Sequence, residues 1–194
     1  MPDTILLAQA AYLSGAAIGL VLILRSPLPA ALFWGTAMTL QLALATAELA
    51  DRIGWTAFVG LEGDLRYFAF TLGAVGFALG AVFSLVVPSG TNRMTLFTGI
   101  GLAVLIATAA DRLPLGQLPL PLVLLGVLMV AVLVGLRHRP VPGRWLLLAT
   151  LAAGLAELAR YRYLGFVPLP PDSLAKTFHA LALVCFGLTA HRAR

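Results

Sequence analysis

The chain of 194 residues is 60% hydrophobic and only 11% charged, with a mean hydropathy of +0.97 and a net charge of +5. A soluble domain averages about 25% charged residues, so this composition excludes an ordinary soluble enzyme, a disordered chain and a secreted disulfide scaffold, and is that of an integral membrane protein. The single cysteine, Cys185, excludes an intrachain disulfide and a Cys-x-x-Cys redox or zinc pair.

A helix needs about 20 mostly apolar residues to cross the hydrocarbon core of a bilayer. Read in chain order, the sequence predicts an all-α, polytopic membrane protein of one domain, residues 1–194, with seven transmembrane helices at 5–24, 31–50, 65–87, 94–110, 118–136, 145–159 and 173–190. The fourth, sixth and seventh are short. Proline and glycine punctuate the breaks at 25–29, 88–92 and 137–144, and arginines anchor them. The first apolar run has Asp3 before it and no positive leader, unlike a signal peptide, so it reads as an uncleaved span.

Seven spans sort the charges by side. The side of the amino terminus holds all eight acids, Asp3, Glu48, Asp51, Glu62, Asp64, Asp111, Glu157 and Asp172, with Arg52, Arg66, Arg112, Arg160, Arg162 and Lys176, a net −2. The other side holds Arg25, Arg93, Arg137, Arg139, Arg144, Arg192 and Arg194, a net +7. The positive-inside rule makes that second side cytoplasmic, giving an inner-membrane protein with its amino terminus outside. The basic balance is thus explained by the bilayer, and the chain shows no basic stripe of the kind that binds nucleic acid. A faint repeat closes the second, fourth and sixth spans: Leu44-Ala-Thr-Ala-Glu48, Leu105-Ile-Ala-Thr-Ala-Ala-Asp111 and Leu151-Ala-Ala-Gly-Leu-Ala-Glu157. It suggests three like-oriented helical hairpins added to a first helix. Small residues at Ser14/Gly15/Gly19, Gly73/Gly76/Gly80 and Gly99/Gly101 are expected to let helices approach, and the Gly76-x-x-x-Gly80 pair to serve the bundle or a partner subunit.

The candidate site residues are Glu48, Asp64, Arg66, Glu157, Lys176 and His179. Gln41 and Glu48 share a face of the second span; Asp172, Lys176 and His179 follow i, i+4, i+7 spacing on the seventh. Ionisable groups at membrane depth usually face a bundle interior or a wet cavity, so these residues point to a polar pocket opening outward. A plainer reading also fits: headgroup-level anchors, with Asp64 and Asp172 as helix-start acids. A zinc site needs about three protein ligands. Of the three histidines only His179 lies on the outer side, so no metal or other cofactor is expected.

Two resemblances follow. Asp172-Ser-Leu-Ala-Lys176 resembles the Asp-x-x-x-Lys pattern of microbial rhodopsins, which implies a retinal Schiff base on Lys176; Pro168, Pro170 and Pro171 put that lysine near the start of its helix. The sixth span, its outer loop and Leu174-Ala-Lys-Thr-Phe-His179 resemble the carboxyl-terminal part of bacterial seven-helix proteins of the alkaline-ceramidase/progestin-receptor-like (CREST) superfamily. That resemblance implies a zinc hydrolase site in which Glu48 and His179 take part, without the superfamily's His-x-x-x-His, since Leu183 and Ala175 flank His179 at four residues. The expectation is a non-enzymatic membrane component, an accessory subunit or a small-molecule or lipid binder. A lipid hydrolase and a retinal protein are the alternatives. Membrane lipids, partner subunits or further copies of the chain are the expected partners.

Overall fold

The computed structural model describes residues 2–24, 26, 30–55, 59–87, 97, 99–101, 104, 120–164 and 167–193. Among them all regular structure is helical: α1 (Pro2–Ile23), α2 (Ala30–Arg52), α3 (Val59–Phe68), a π-helical segment (Ala69–Gly73), α4 (Ala74–Leu85), α5 (Leu120–His138), α6 (Pro140–Arg160) and α7 (Pro171–Arg192). Segments Thr4–Ile23, Ala30–Arg52, Gly60–Leu85, Pro140–Arg160 and Pro171–Arg192 are long and apolar enough to cross a membrane, and Leu124–His138 is a shorter apolar helix. Most of the expected fourth span, with the middle copy of the repeat, lies outside the described residues; positions 97, 99–101 and 104 within it are helical.

Three boundaries differ from expectation for physical reasons. The third span starts at Val59, not at residue 65, so Glu62 lies in its first turn and Asp64 sits inside the helix rather than at its start. The break at 137–144 shrinks to one residue, Arg139 (φ −140°, ψ 75°), because Pro140 and Pro142 occupy the first turn of α6. A helix's first N–H groups have no intrahelical partner, so proline loses nothing there and its fixed φ suits the helix. By the same rule α7 opens at Pro171. The sixth and seventh helices therefore reach 21 and 22 residues, enough to span.

Small residues set the closest approaches. A Cβ on Gly15 would lie 2.7 Å from the carbonyl oxygen of Ala180, and one on Gly80 would lie 2.6 Å from the Trp34 ring. Gly76 backs onto Phe33 and Ala37 in the same way, so the Gly76/Gly80 pair is used inside the bundle, against α2. Close packing does not extend to Ser14, which is exposed, or to Gly101, which has nothing within 4 Å of its Cβ position. Trp34 is fully buried beside Phe77 and Phe186, whose rings stack on each other at 4.4 Å, and its indole N–H donates to Ser84 Oγ at 2.9 Å. A buried indole needs such a partner. The outward faces carry large apolar side chains, among them Leu7, Val21, Val130 and Leu133, which suit contact with hydrocarbon.

The two ends differ. At one, Ser26 Oγ donates to the Ala190 carbonyl (3.0 Å) and Arg139 Nη1 to the Ala193 carbonyl (2.7 Å), joining the ends of α1 and α7 to the α5–α6 corner. The candidate residues gather at the other.

Candidate functional site

Glu48 is the hub. It sits near the carboxyl end of α2, on the buried face that also carries Gln41 and Leu44. Its Oε2 is 2.9 Å from Lys176 Nζ and its Oε1 is 3.0 Å from Arg66 Nη2. Arg66 also pairs with Glu62 at 2.6 Å, one turn earlier on α3; Lys176 pairs with Asp172 at 3.4 Å, and Asp172 with Arg52 at 3.2 Å. The charges thus alternate along one chain, Glu62–Arg66–Glu48–Lys176–Asp172–Arg52, which ties α3, α2 and α7 together. Glu48 and Lys176 are mostly buried, with side chains 9% and 11% exposed. Charges out of water are tolerated when they are paired, and Glu48 has a cation on each oxygen, with Arg66 donating a hydrogen bond to Oε1 while Oε2 faces the lysine without one.

Beneath this network lies a neutral one. Tyr12 OH donates to Gln41 Oε1, and Gln41 Nε2 donates to the Ala69 carbonyl at 3.1 Å. Gln9 Nε2 donates to the Ala45 carbonyl at 2.9 Å. Ala69 opens the π segment, and Thr71 Oγ1 donates back to the Tyr67 carbonyl at 2.7 Å. Threonine back-bonding of this kind bends helices, and π turns are frequent at functional sites. Here the widened turn places Phe70 between the polar groups.

Arg160 lies 4.2 Å over the Phe70 ring. Its Nη1 is 3.7 Å from Glu157 Oε1, and His179 Nε2 is 4.0 Å from the same oxygen. The His179 ring meets Phe70 edge-on at 6.1 Å and Tyr12 at the same centroid distance.

Two cavities meet at these residues. A cleft of about 280 Å³ is lined by Tyr12, Glu48, Arg66, Arg160, Asp172 and Lys176. A chamber of about 80 Å³ is lined chiefly by Phe77, Leu124, Leu128, Ala153 and Phe186, with Gln41 and Glu157 as its polar edge. Phe70 and His179 line both.

Of the candidates, Glu48, Arg66, Lys176 and His179 line the cleft, and Glu157 and His179 the chamber. Asp64 is exposed and lines neither; with α3 starting at Val59 it is also not a helix-start acid. Asp172 does stand in the first turn of α7. The residues that sequence reasoning passed over are Gln9, Tyr12 and Phe70. Gln9 and Tyr12, three apart in an apolar helix, were a readable signal; Phe70 was not, because its inward placement depends on the π turn.

Among the described residues no group of three His, Cys, Asp or Glu side chains is placed to hold a metal ion. Glu48 is taken up by Lys176 and Arg66, and His179 has Glu157 alone beside it, so the described residues do not assemble the zinc donors that the superfamily resemblance implies. Lys176 lines the charged cleft and not the apolar chamber, which does not suit a retinal Schiff base. Comparison of the chain with protein-family models, curated proteins and solved structures gave no match.

Proposed function

We propose that the chain is a seven-span protein of the inner membrane, amino terminus outside, and that it is a non-enzymatic binder of a small amphiphile. One observation carries the reading: a charged cleft and an apolar chamber share the walls formed by Phe70 and His179. Adjoining polar and apolar cavities match a molecule with a polar head and a hydrocarbon tail.

Three points support the topology. The described arginines at 137, 139, 144 and 192 lie at the ends of α5, α6 and α7 opposite the cleft, the distribution of a cytoplasmic side. A Cβ on Gly135, near the carboxyl end of α5, would meet Leu85 Cδ1 at 2.8 Å, so α4 finishes beside that end. Leu124, near the start of α5, lines the chamber with His179. The end of α4 and the start of α5 thus stand at different levels of the bundle, which supports the reading of one more span between them.

The test is a protein whose chamber is filled. Ala153 lines it from α6, and Ala153→Trp puts an indole into the space. Wild-type protein released from phosphatidylcholine nanodiscs is expected to retain an alkyl amphiphile in native mass spectrometry, and Ala153→Trp to lose it while keeping a cooperative thermal transition. Absence of a retained amphiphile in the wild type, or retention unchanged by the indole, overturns the proposal.

A further inference from the structure

We infer that the head of this amphiphile carries no net charge and donates a hydroxyl hydrogen bond to Glu157, as a long-chain alcohol would. The inference rests on the amphiphile reading above and specifies its ligand. The first argument is charge. Among the described residues lining the two cavities, the cations Arg66, Arg160 and Lys176 face the carboxylates Glu48, Glu157 and Asp172. Each cation already has a carboxylate within 4.0 Å. An anionic or cationic head would add one surplus charge beside the mostly buried Glu48, Lys176 and Glu157, where an unpaired charge is expensive. A neutral head adds none.

The second argument is hydrogen bonding. Glu48 has a cation at about 3 Å on each oxygen and accepts a hydrogen bond from Arg66 at Oε1, though not from Lys176 at Oε2. Glu157 is different: its side chain is 15% exposed, and Arg160 and His179 stand at 3.7 and 4.0 Å, outside hydrogen-bonding range. A mostly buried carboxylate is an acceptor that needs donors. Arg160 lines the cleft, Glu157 the chamber and His179 both. A hydroxyl among these three donates its proton to Glu157 and accepts from Arg160, while the tail runs between Phe77, Leu128 and Phe186. A quaternary ammonium has no proton to donate, and a sulfonate or phosphate faces the Glu157 carboxylate.

The experiment uses the full chain in phosphatidylcholine vesicles and four dodecyl probes with a diazirine in the tail: the alcohol, its methyl ether, the sulfonate and the trimethylammonium. Peptide mapping reads labelling of the chamber around Leu124–Leu128 and Ala182–Phe186. The alcohol is expected to label about tenfold more than each of the others, the factor that corresponds to about 1.4 kcal/mol. Glu157→Gln leaves Arg160 uncompensated and should shift the preference to the sulfonate. Arg160→Gln leaves Glu157 uncompensated and should shift it to the trimethylammonium. Preferential labelling of the wild type by a charged probe, an ether equal to the alcohol, or variants with an unchanged ranking overturns the inference and leaves amphiphile binding standing. No chamber labelling by any probe overturns amphiphile binding itself.

Discussion

At Glu48 one carboxylate serves cations from two other helices, and the size of that dependence is measurable. Glu48→Ala leaves the Lys176 ammonium buried and facing only the exposed Asp172 carboxylate. Removing one partner of a buried pair costs about 3–5 kcal/mol, which should appear as a clear fall in the unfolding midpoint of the purified protein. Glu157→Ala should cost about 1 kcal/mol or less, since its pairs are long and Arg160 is half exposed. Asp51→Ala and Asp64→Ala, both at exposed positions, should leave the midpoint unchanged. Equal small losses at all four would reduce the charge network to a belt of anchors. Helical spacing was enough to place Gln41 with Glu48, and Asp172 with Lys176 and His179, on common faces. It was not enough to pair Arg66 with Glu48, which depends on how α3 leans on α2, or to rank Glu48 above Asp64.

Element boundaries show where local rules mislead. In the sequence, proline at 137–144 reads as a stop, yet Pro140 and Pro142 begin α6, because the same missing N–H that breaks a helix interior is harmless in its first turn. The π segment was invisible, since a pattern of apolar residues cannot reveal one widened turn inside an apolar span. Glycine roles were better legible in position than in partner: Gly76 and Gly80 lie against α2. Gly80→Ala should lower stability by about 1–3 kcal/mol, because its methyl would press on the Trp34 ring. Gly154→Ala is the control. Nothing lies within 4 Å of that Cβ position, and the better helix propensity of alanine, up to about 1 kcal/mol, should leave stability equal or higher. Both are read from reversible unfolding in mixed micelles, and a Gly80→Ala protein as stable as wild type would show that α4 and α2 can part freely.

For the molecule as a whole, hydropathy and charge carried most of the information. The expected seven spans put the eight acids on one side and seven unaccompanied arginines on the other. The expected topology is tested with a periplasm-active reporter fused after Gly116 and a cytoplasm-active one after Arg194; both should be active, and a periplasmic reading at Arg194 would reverse the orientation. Cavity shape was not legible at this scale. It arises because α4 and α6 stand apart on either side of α5, and the chamber between them is lined by Leu124 and Leu128 on one side and by Phe77 and Ala153 on the others.

The π segment has one more consequence, for how this span is compared with others. An α-helix turns about 100° per residue, so the residue accommodated in Ala69–Gly73 offsets everything after it by roughly that angle relative to everything before. Arg66 and Gly80 therefore belong to two different rotational frames within one span. An ungapped alignment of this helix with the second or sixth, or with a helix of another protein, matches either the cleft-facing half or the Trp34-facing half, never both. Deleting a single residue from this segment should restore an uninterrupted α-helix, with Gly76 and Gly80 still against α2 and Arg66 still paired with Glu48, and an alignment of this span with an uninterrupted helix needs a one-residue gap at that point.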